Sequence, residues 1–413
     1  MKIALLSRWY WLENHIQQSD EGGATRQLAE AVAALGHEVV VLSQSSEVRK
    51  LEQSSVGALE TWVSPRDKHR DFFTFLRDRW AANTYSHPKV YSDALALRDF
   101  LARRGPFDVL WAHTDSPDGL AAAMAARLGV KLPPLLVQIH ALPCRFEKGA
   151  PVFTEKRALD LAFRQASRIL ADSELVLSLL PHYAGPGHTA EDLQAKARVV
   201  HPNLQRSVLR AARESPFMPA SMPDRVLFLG ALNQRKGAFV FMSALPKTEA
   251  SKRLSNFVVV GDFTENDKRL FRRWEKAQEA ARVQLAGACI DYLGKVSAYE
   301  VTRQIKLARV VVIPSLFDSF SRVLVEALIL GRPVITTDRV GASSFVRTHQ
   351  CGIIVAPNDS DSLARAIDVV LSPIVPFTDN AQRAAEILSQ EFSPDAVAAQ
   401  IAYHLSRIAA PQK

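Results

Sequence analysis

A chain of 413 residues exceeds one small domain and suggests two or three domains of ordinary size. Hydrophobic residues make up 47% and charged residues 23%, the range of soluble globular proteins with true cores, so disorder is not the main theme. The net charge is +8, yet lysine and arginine are scattered rather than gathered into tails. That disfavours nucleic acid and leaves anionic small molecules or an acidic membrane surface open.

The N-terminus, MKIALLSRWYW, is apolar for only one strand's length and leads into charged sequence, not a cleavage site. No stretch is long and apolar enough to span a bilayer. Cys144, Cys289 and Cys351 stand far apart with no metal-ligand or CxxC spacing, which fits a reducing compartment and a cytoplasmic location. Residues 2–7 and 37–43 read as the first two strands, joined by a helix over about 24–35. Gly22 and Gly23 stand ahead of that helix, either as a tight turn or as room for an anion at its N-terminus.

Residues 68–85 interrupt the rhythm, with Phe72, Phe73, Phe75, Leu76 and Trp80 interleaved among Arg70, Arg77 and Arg79. This is one face of a packed helix, or else a segment that meets an acceptor or membrane headgroups. Strands follow at 109–112, 135–139 and 168–170, with helices at 118–128 and 154–165, the alternation of a doubly wound parallel sheet. His113 and His140 each follow a strand and fall on the edge where such sheets bind ligands.

The N-terminal domain closes at residue 203. Residues 204–224, with Pro216, Pro219 and Pro223 and no clear period, read as a linker. From Arg225 to residue 393 the strand-helix rhythm restarts as a second doubly wound domain, and 394–413 forms one more amphipathic helix. The first strand of this second domain ends in Gly230-Ala231-Leu232-Asn233-Gln234-Arg235-Lys236-Gly237. A cation there, before a helix N-terminus, suits a diphosphate, although surface Lys-Gly pairs before helices are common.

Residues 310–338 carry the sharpest signal. Val310-Val311-Val312-Ile313 reads as a strand buried on both faces, and residues 322–330 as a helix with Ser321 as N-cap and Gly331 at C′. Glu326 interrupts a helix that is otherwise apolar nearly all round. It either pairs with Arg322 four residues earlier or faces a polar ligand, with Asp318 beside it.

Four stretches, GGATRQLAEAVAALGHEVVVLS, GALNQRKG, VVVGD and PSLFDSFSRVLVEALILGRPVITTD, closely resemble glycosyltransferase family 4. The resemblance covers nearly the whole chain, most strongly residues 225–367 and most weakly 47–104. It implies a GT-B fold: two Rossmann-like domains facing across a cleft, with the C-terminal helix packing back on the N-terminal domain. It also implies a retaining transfer of sugar from a nucleotide sugar. The E-x7-E motif of the family falls on Asp318 and Glu326; by resemblance Glu326 binds the donor's ribose hydroxyls and Asp318 its sugar hydroxyls. Lys236 matches the diphosphate-binding lysine, and His113 and Gly23 match positions near the transferred sugar and the phosphate. His113, Lys236, Asp318 and Glu326 are the implied catalytic group. Gly23, Gly230, Arg235, Ser319, Phe320, Ser321 and Arg322 complete the donor-binding set, and Gly22 and His140 contact acceptor or sugar beside His113.

Three departures stand out: Ala231 replaces the usual arginine, Ser321 a glycine, and Ser344 an acidic residue. The implied partners are a nucleotide sugar and a saccharide or lipid-linked saccharide acceptor, with the inner membrane face as a peripheral contact and no nucleic acid. No cofactor and no metal are expected, since no DxD-like pair or ligand cluster is present. A nucleotide-sugar epimerase of the same architecture and a non-catalytic nucleotide-sugar-binding member stand as alternatives. A dinucleotide oxidoreductase is disfavoured, because neither domain shows GxGxxG between its first strand and helix.

Overall fold

A computed structural model describes residues 1–7, 20–45, 52–56, 59–65, 76–80, 84, 87, 89–140, 142, 153–183, 185, 189–214, 224–252, 255–263, 268–285, 288–372 and 376–409. The chain divides into two compact units, Met1–Gln205 with Pro394–Lys413, and Arg206–Ser393.

Unit 1 is built on an eight-stranded sheet of order β3-β4-β2-β1-β5-β6-β7-β8. In chain order the strands are β1 (Lys2–Leu6), β2 (Glu38–Ser45), β3 (Glu52–Val56), β4 (Leu59–Pro65), β5 (Val109–Ala112), β6 (Leu135–Ile139), β7 (Ala166–Ala171) and β8 (Ala197–Val199). All neighbours are parallel except the β3–β4 hairpin. Helices cover both faces, and period-2 alternation feeds two cores: Ala4 and Leu6 of β1 point to one, Ile3 and Leu5 to the other. In the second of these cores Val397, Ala398, Ile401 and Leu405 of the Pro394–Ala409 helix pack beside Leu28 and Val32. Their three- and four-residue spacing places them on one helix face.

Unit 2 carries a six-stranded parallel sheet of order β11-β10-β9-β12-β13-β14. Its strands are β9 (Arg225–Leu229), β10 (Asn256–Val260), β11 (Cys289–Gly294), β12 (Val310–Ile313), β13 (Val334–Thr337) and β14 (Gly352–Val355). Central β12 pairs with β9 and β13, and all four of its residues are buried, which is why it tolerates no polar side chain.

Four local expectations need correction. Gly22 and Gly23 lie within the Asp20–Ala34 helix, not ahead of it. Buried Ala24 and Thr25, and an Asn203 Nδ2 donation to the Ala24 carbonyl, pack the turn that follows the glycines and offset the roughly 1 kcal/mol per glycine that a helix loses. The stretch expected as a linker holds a helix, Arg206–Glu214, because Val208 and Leu209 bury one face of it. The β3–β4 hairpin and β8 had no strand assignment from sequence; β3, EQSSV, is too polar to announce itself. Asp118, expected to open a helix, lies in a single turn of π-helix, Asp115–Gly119, that precedes the Leu120–Arg127 helix. Of the aromatic segment 68–85, Phe72, Phe73 and Phe75 lie outside the described residues, while Leu76 and Trp80 are about half exposed. Among the described residues no helix is long and apolar enough to cross a membrane.

Candidate functional site

In unit 2 the loop after β9 is shaped by its own residues. Lys236 N donates to Asn233 Oδ1 at 2.9 Å, closing a turn, and Leu232 N donates to the Asp262 carbonyl. Gly237 has φ +73°, and a Cβ there would sit 2.0 Å from the Pro314 carbonyl oxygen, so only glycine lets this loop touch the end of β12. Leu316 N then donates to the Arg235 carbonyl, and Arg235 Nη1 reaches the Phe317 carbonyl at 3.5 Å.

This contact brings the Lys236 ammonium 2.5 Å from Asp318 Oδ2, an ion pair with both side chains largely shielded from water. Asp318 is held from the other side as well. Its N–H donates to the Arg339 carbonyl, its carbonyl accepts from Gly341 N, and Ala342 N donates to the Phe320 carbonyl. Phe320 is buried against Phe345 and Phe392, a three-ring anchor that fixes the loop. Ser319 is buried beside it.

Ser321 occupies the N-cap position of the Arg322–Ile329 helix, but its side chain makes no cap hydrogen bond; this corrects its expected capping role. The reason is backbone geometry: φ +73° and ψ +82° place the residue in left-handed space, turning its hydroxyl from the helix N–H groups. That is the conformation the glycine of the family pattern would adopt without strain. Along the helix, Leu324, Val325, Ala327, Leu328 and Ile329 are buried, while Arg322, Val323 and Glu326 form a half-exposed stripe. Glu326 has an interaction partner within the protein. Ala231 and Gly230 are partly buried at the end of β9, and Ser344 is exposed in the first turn of the Ser343–Thr348 helix.

Unit 1 assembles a second group at the carboxyl ends of β5, β6 and β7. His113 is 4% exposed, its Nε2 3.3 Å from Thr25 Oγ1 of the helix that contains Gly22 and Gly23. His140 Nδ1 lies 3.1 Å from Asp172 Oδ2, and the two histidine rings stand 4.5 Å apart. Asp172 is positioned by the next crossover, where its carbonyl oxygen and His201 Nδ1 lie 2.7 Å apart. Gly23 packs against Gln205, whose Nε2 would meet a Cβ at 3.5 Å.

Sequence reasoning missed Thr25, Asp115, Asp118 and Asp172. Asp172 follows β7 at the same sheet edge as the two histidines, a positional signal that was available. Burial raises the Asp115 carboxyl to about 7, partly offset by a hydrogen bond to its own backbone and by His140. Burial likewise raises Asp118 to about 8, although Thr114 Oγ1 donates to its Oδ2 at 2.9 Å. Among the described residues no group of three or more His, Cys, Asp or Glu is disposed to hold a metal ion. The chemistry on offer is a paired cation and carboxylate on unit 2, and an imidazole pair backed by a carboxylate on unit 1.

Residues 223–372 match the model for glycosyl transferases group 1, and residues 22–190 match that for the glycosyl transferase 4-like domain. The chain is 25% identical to glycogen synthase of Mycobacterium tuberculosis, over 91% of this chain and 88% of that protein. It is 23% identical to alpha-D-kanosaminyltransferase of Streptomyces kanamyceticus, over 91% and 97%. Among solved structures, sucrose-phosphate synthase of Thermosynechococcus elongatus superposes with a TM-score of 0.71 at 18% identity, covering 98% of both chains. Anabaena HepE, crystallised with UDP and glucose, gives 0.67 at 18% identity, covering 98% of this chain and 99% of its own.

Two parallel-sheet α/β units with this topology define the GT-B fold. The chain belongs to the GT-B glycosyltransferases, and its activity is that of a transferase.

Proposed function

We propose that this protein transfers a hexose from a nucleoside diphosphate sugar to a saccharide or lipid-linked saccharide, in cell-surface polysaccharide or glycoconjugate synthesis. The observation that carries this reading is the Lys236–Asp318 pair at 2.5 Å, which joins the proposed phosphate-binding cation to the proposed sugar-binding carboxylate. The naming of the relatives as a glycogen synthase and an alpha-D-kanosaminyltransferase, and of HepE complexes with UDP and UDP-glucose, supports the same substrate class.

In this reading the bond from the anomeric carbon to the diphosphate breaks as the acceptor hydroxyl attacks the same face, through an oxocarbenium-like transition state, and the hydroxyl proton passes to the departing phosphate oxygen. The diphosphate leaves as an anion. Lys236 and backbone N–H groups stabilise the charge that grows there, Glu326 holds the ribose, and Asp318 the sugar hydroxyls. His113 and His140 contact the transferred sugar or the acceptor. No metal ion and no cofactor take part.

A thermal-shift panel of nucleoside diphosphates and nucleotide sugars tests the donor class, since a ligand bound only by the folded state raises its stability by mass action. One base and sugar should raise Tm well beyond the others. No response to any nucleotide sugar overturns the reading. Turnover that persists in EDTA supports metal independence; complete loss restored by magnesium or manganese refutes it.

A further inference from the structure

Three arginines and a histidine meet where the C-terminal helix crosses the β7–β8 edge of the unit 1 sheet. Arg168 lies two residues before Leu170 on β7, and Leu170 belongs to the core packed under the Pro394–Ala409 helix, so strand alternation puts Arg168 on that face. Arg198 pairs in register with Leu170 and shares the face. His404 and Arg407 come from the helix above, one residue before and two after Leu405, which packs into that core. The charges are mutually felt. Burial lowers the proton affinity of Arg168, and Arg198 and Arg407 lower it further; burial also lowers His404, with Arg168 and Arg198 adding to the effect.

Like charges gathered on a half-buried face normally recruit a carboxylate. Among the described residues none does so here: no ion pair joins Arg168, Arg198, His404 or Arg407 to a carboxylate, no carboxylate acts on Arg168 or His404, and only the phenol of Tyr403 raises the proton affinity of Arg168. The hydrogen-bonding ledger is also open. Arg168 Nε and His404 Nδ1 are both buried without a hydrogen-bond partner. Arg198 spends one terminal nitrogen on the Ala195 and Ala197 carbonyls, which fixes its guanidinium at the sheet edge. The phenol of Tyr403 stands beside His404, ring centres 5.2 Å apart, and is 60% exposed at the rim.

We propose that this cluster is an anion site for a phosphoryl group, separate from the sugar-transfer residues. Planar guanidinium forks grip two phosphate oxygens each, and an ammonium-free set of three arginines and one histidine favours a tetrahedral oxyanion with several acceptor atoms over a halide. Arg168 lies toward the amino end of β7, away from the carboxyl end that carries Asp172, so the site does not share the chemistry of His113 and His140. The ligand is either a soluble phosphorylated compound or a phospholipid headgroup.

Calorimetric titration with pyrophosphate at constant ionic strength tests the site, in a Lys236→Ala background that removes the proposed diphosphate grip of unit 2. Pyrophosphate should bind, and Arg168→Gln/Arg198→Gln should weaken it at least tenfold. The exposed pair Arg198→Gln/Arg407→Gln should act in the same direction, and serves if the first variant fails to fold. Co-sedimentation with phosphatidylcholine vesicles with and without phosphatidylglycerol separates the sources: arginine-dependent capture by the anionic vesicles assigns a headgroup, and its absence assigns the soluble compound. Equal pyrophosphate affinity in the parent and the arginine variants, or no binding to the parent, overturns the proposal. Neither result bears on sugar transfer, because no step of the titration depends on it.

Discussion

Lys236 Nζ and Asp318 Oδ2 lie 2.5 Å apart although 82 residues separate them, and the contact exists because Gly237 lets the β9 loop touch Pro314 at the end of β12. The pair makes each residue the other's positioning device. Lys236→Ala therefore removes the proposed phosphate cation and leaves the Asp318 carboxylate without its partner. We expect kcat/KM to fall about 100- to 1000-fold, roughly 2.7–4 kcal/mol of transition-state stabilisation, and unfolding free energy to fall by about 1–3 kcal/mol. Steady-state kinetics and urea denaturation measure the two; wild-type turnover in the variant contradicts the assignment.

Glu326 tests the donor-binding reading most directly. A helix-surface ion pair with Arg322 is worth at most about 0.5 kcal/mol, and losing it leaves ligand affinity alone. Glu326→Ala should instead weaken nucleotide-sugar binding far more than it lowers stability. Unchanged affinity in a titration calorimeter returns the residue to a structural role.

Ala231 stands where the pattern of the resembling family carries an arginine, so the proposed diphosphate site is one cation short of that pattern. Arg235 is committed to the Phe317 carbonyl, whereas Arg322 stands half-exposed on the first turn of the helix that carries Glu326. A helix N-terminus already attracts anions. Arg322→Ala should reduce kcat/KM by roughly tenfold to a thousandfold, about 1.4–4 kcal/mol, and Arg235→Ala by much less. The reverse ranking transfers the compensating role to Arg235.

Ser321 holds φ +73° and ψ +82° without a cap hydrogen bond in return. Such a conformation costs a non-glycine residue about 1–3 kcal/mol, against roughly 0.5–1 kcal/mol for the extra unfolded-state freedom of glycine. Ser321→Gly should raise unfolding free energy by about 0.5–2 kcal/mol, read from the urea midpoint at constant m-value. A lower midpoint shows that the serine hydroxyl contributes more than the strain removes.

Asp115 and Asp118 give unit 1 a pH dependence of predictable sign. Both folded carboxyls sit above their ordinary value of 3.8, at about 7 and about 8, because burial disfavours the charged form. The stability contributed by the neutral forms is full below about pH 4 and is lost as pH rises through 7 to 8. The slope is up to about 1.4 kcal/mol per pH unit for each proton taken up on folding. Asp118→Asn, which mimics the neutral acid, should flatten that slope between pH 5 and 8 and stabilise the protein at pH 8. An unchanged slope shows that Asp118 is ionised in the folded state.

The sequence by itself determined the repeating α/β order, the buried β12 strand, the loop cation Lys236 and the acidic pair Asp318 and Glu326. These follow from local composition: β-branched runs make buried strands, and a charge in an apolar run marks itself out. It did not disclose the polar β3 strand, the helix inside the stretch read as a linker, or the left-handed Ser321, since each depends on what packs against it. Only the tertiary structure could pair Lys236 with Asp318, or set His113 beside His140 with Asp172 behind it. Those contacts join the ends of strands far apart in sequence, and the parallel crossovers that bring the ends together leave no mark on the residues they unite. The same holds for Arg168 and Arg198, two scattered positive charges in a chain of net charge +8 until the C-terminal helix returns to lay His404 and Arg407 over them.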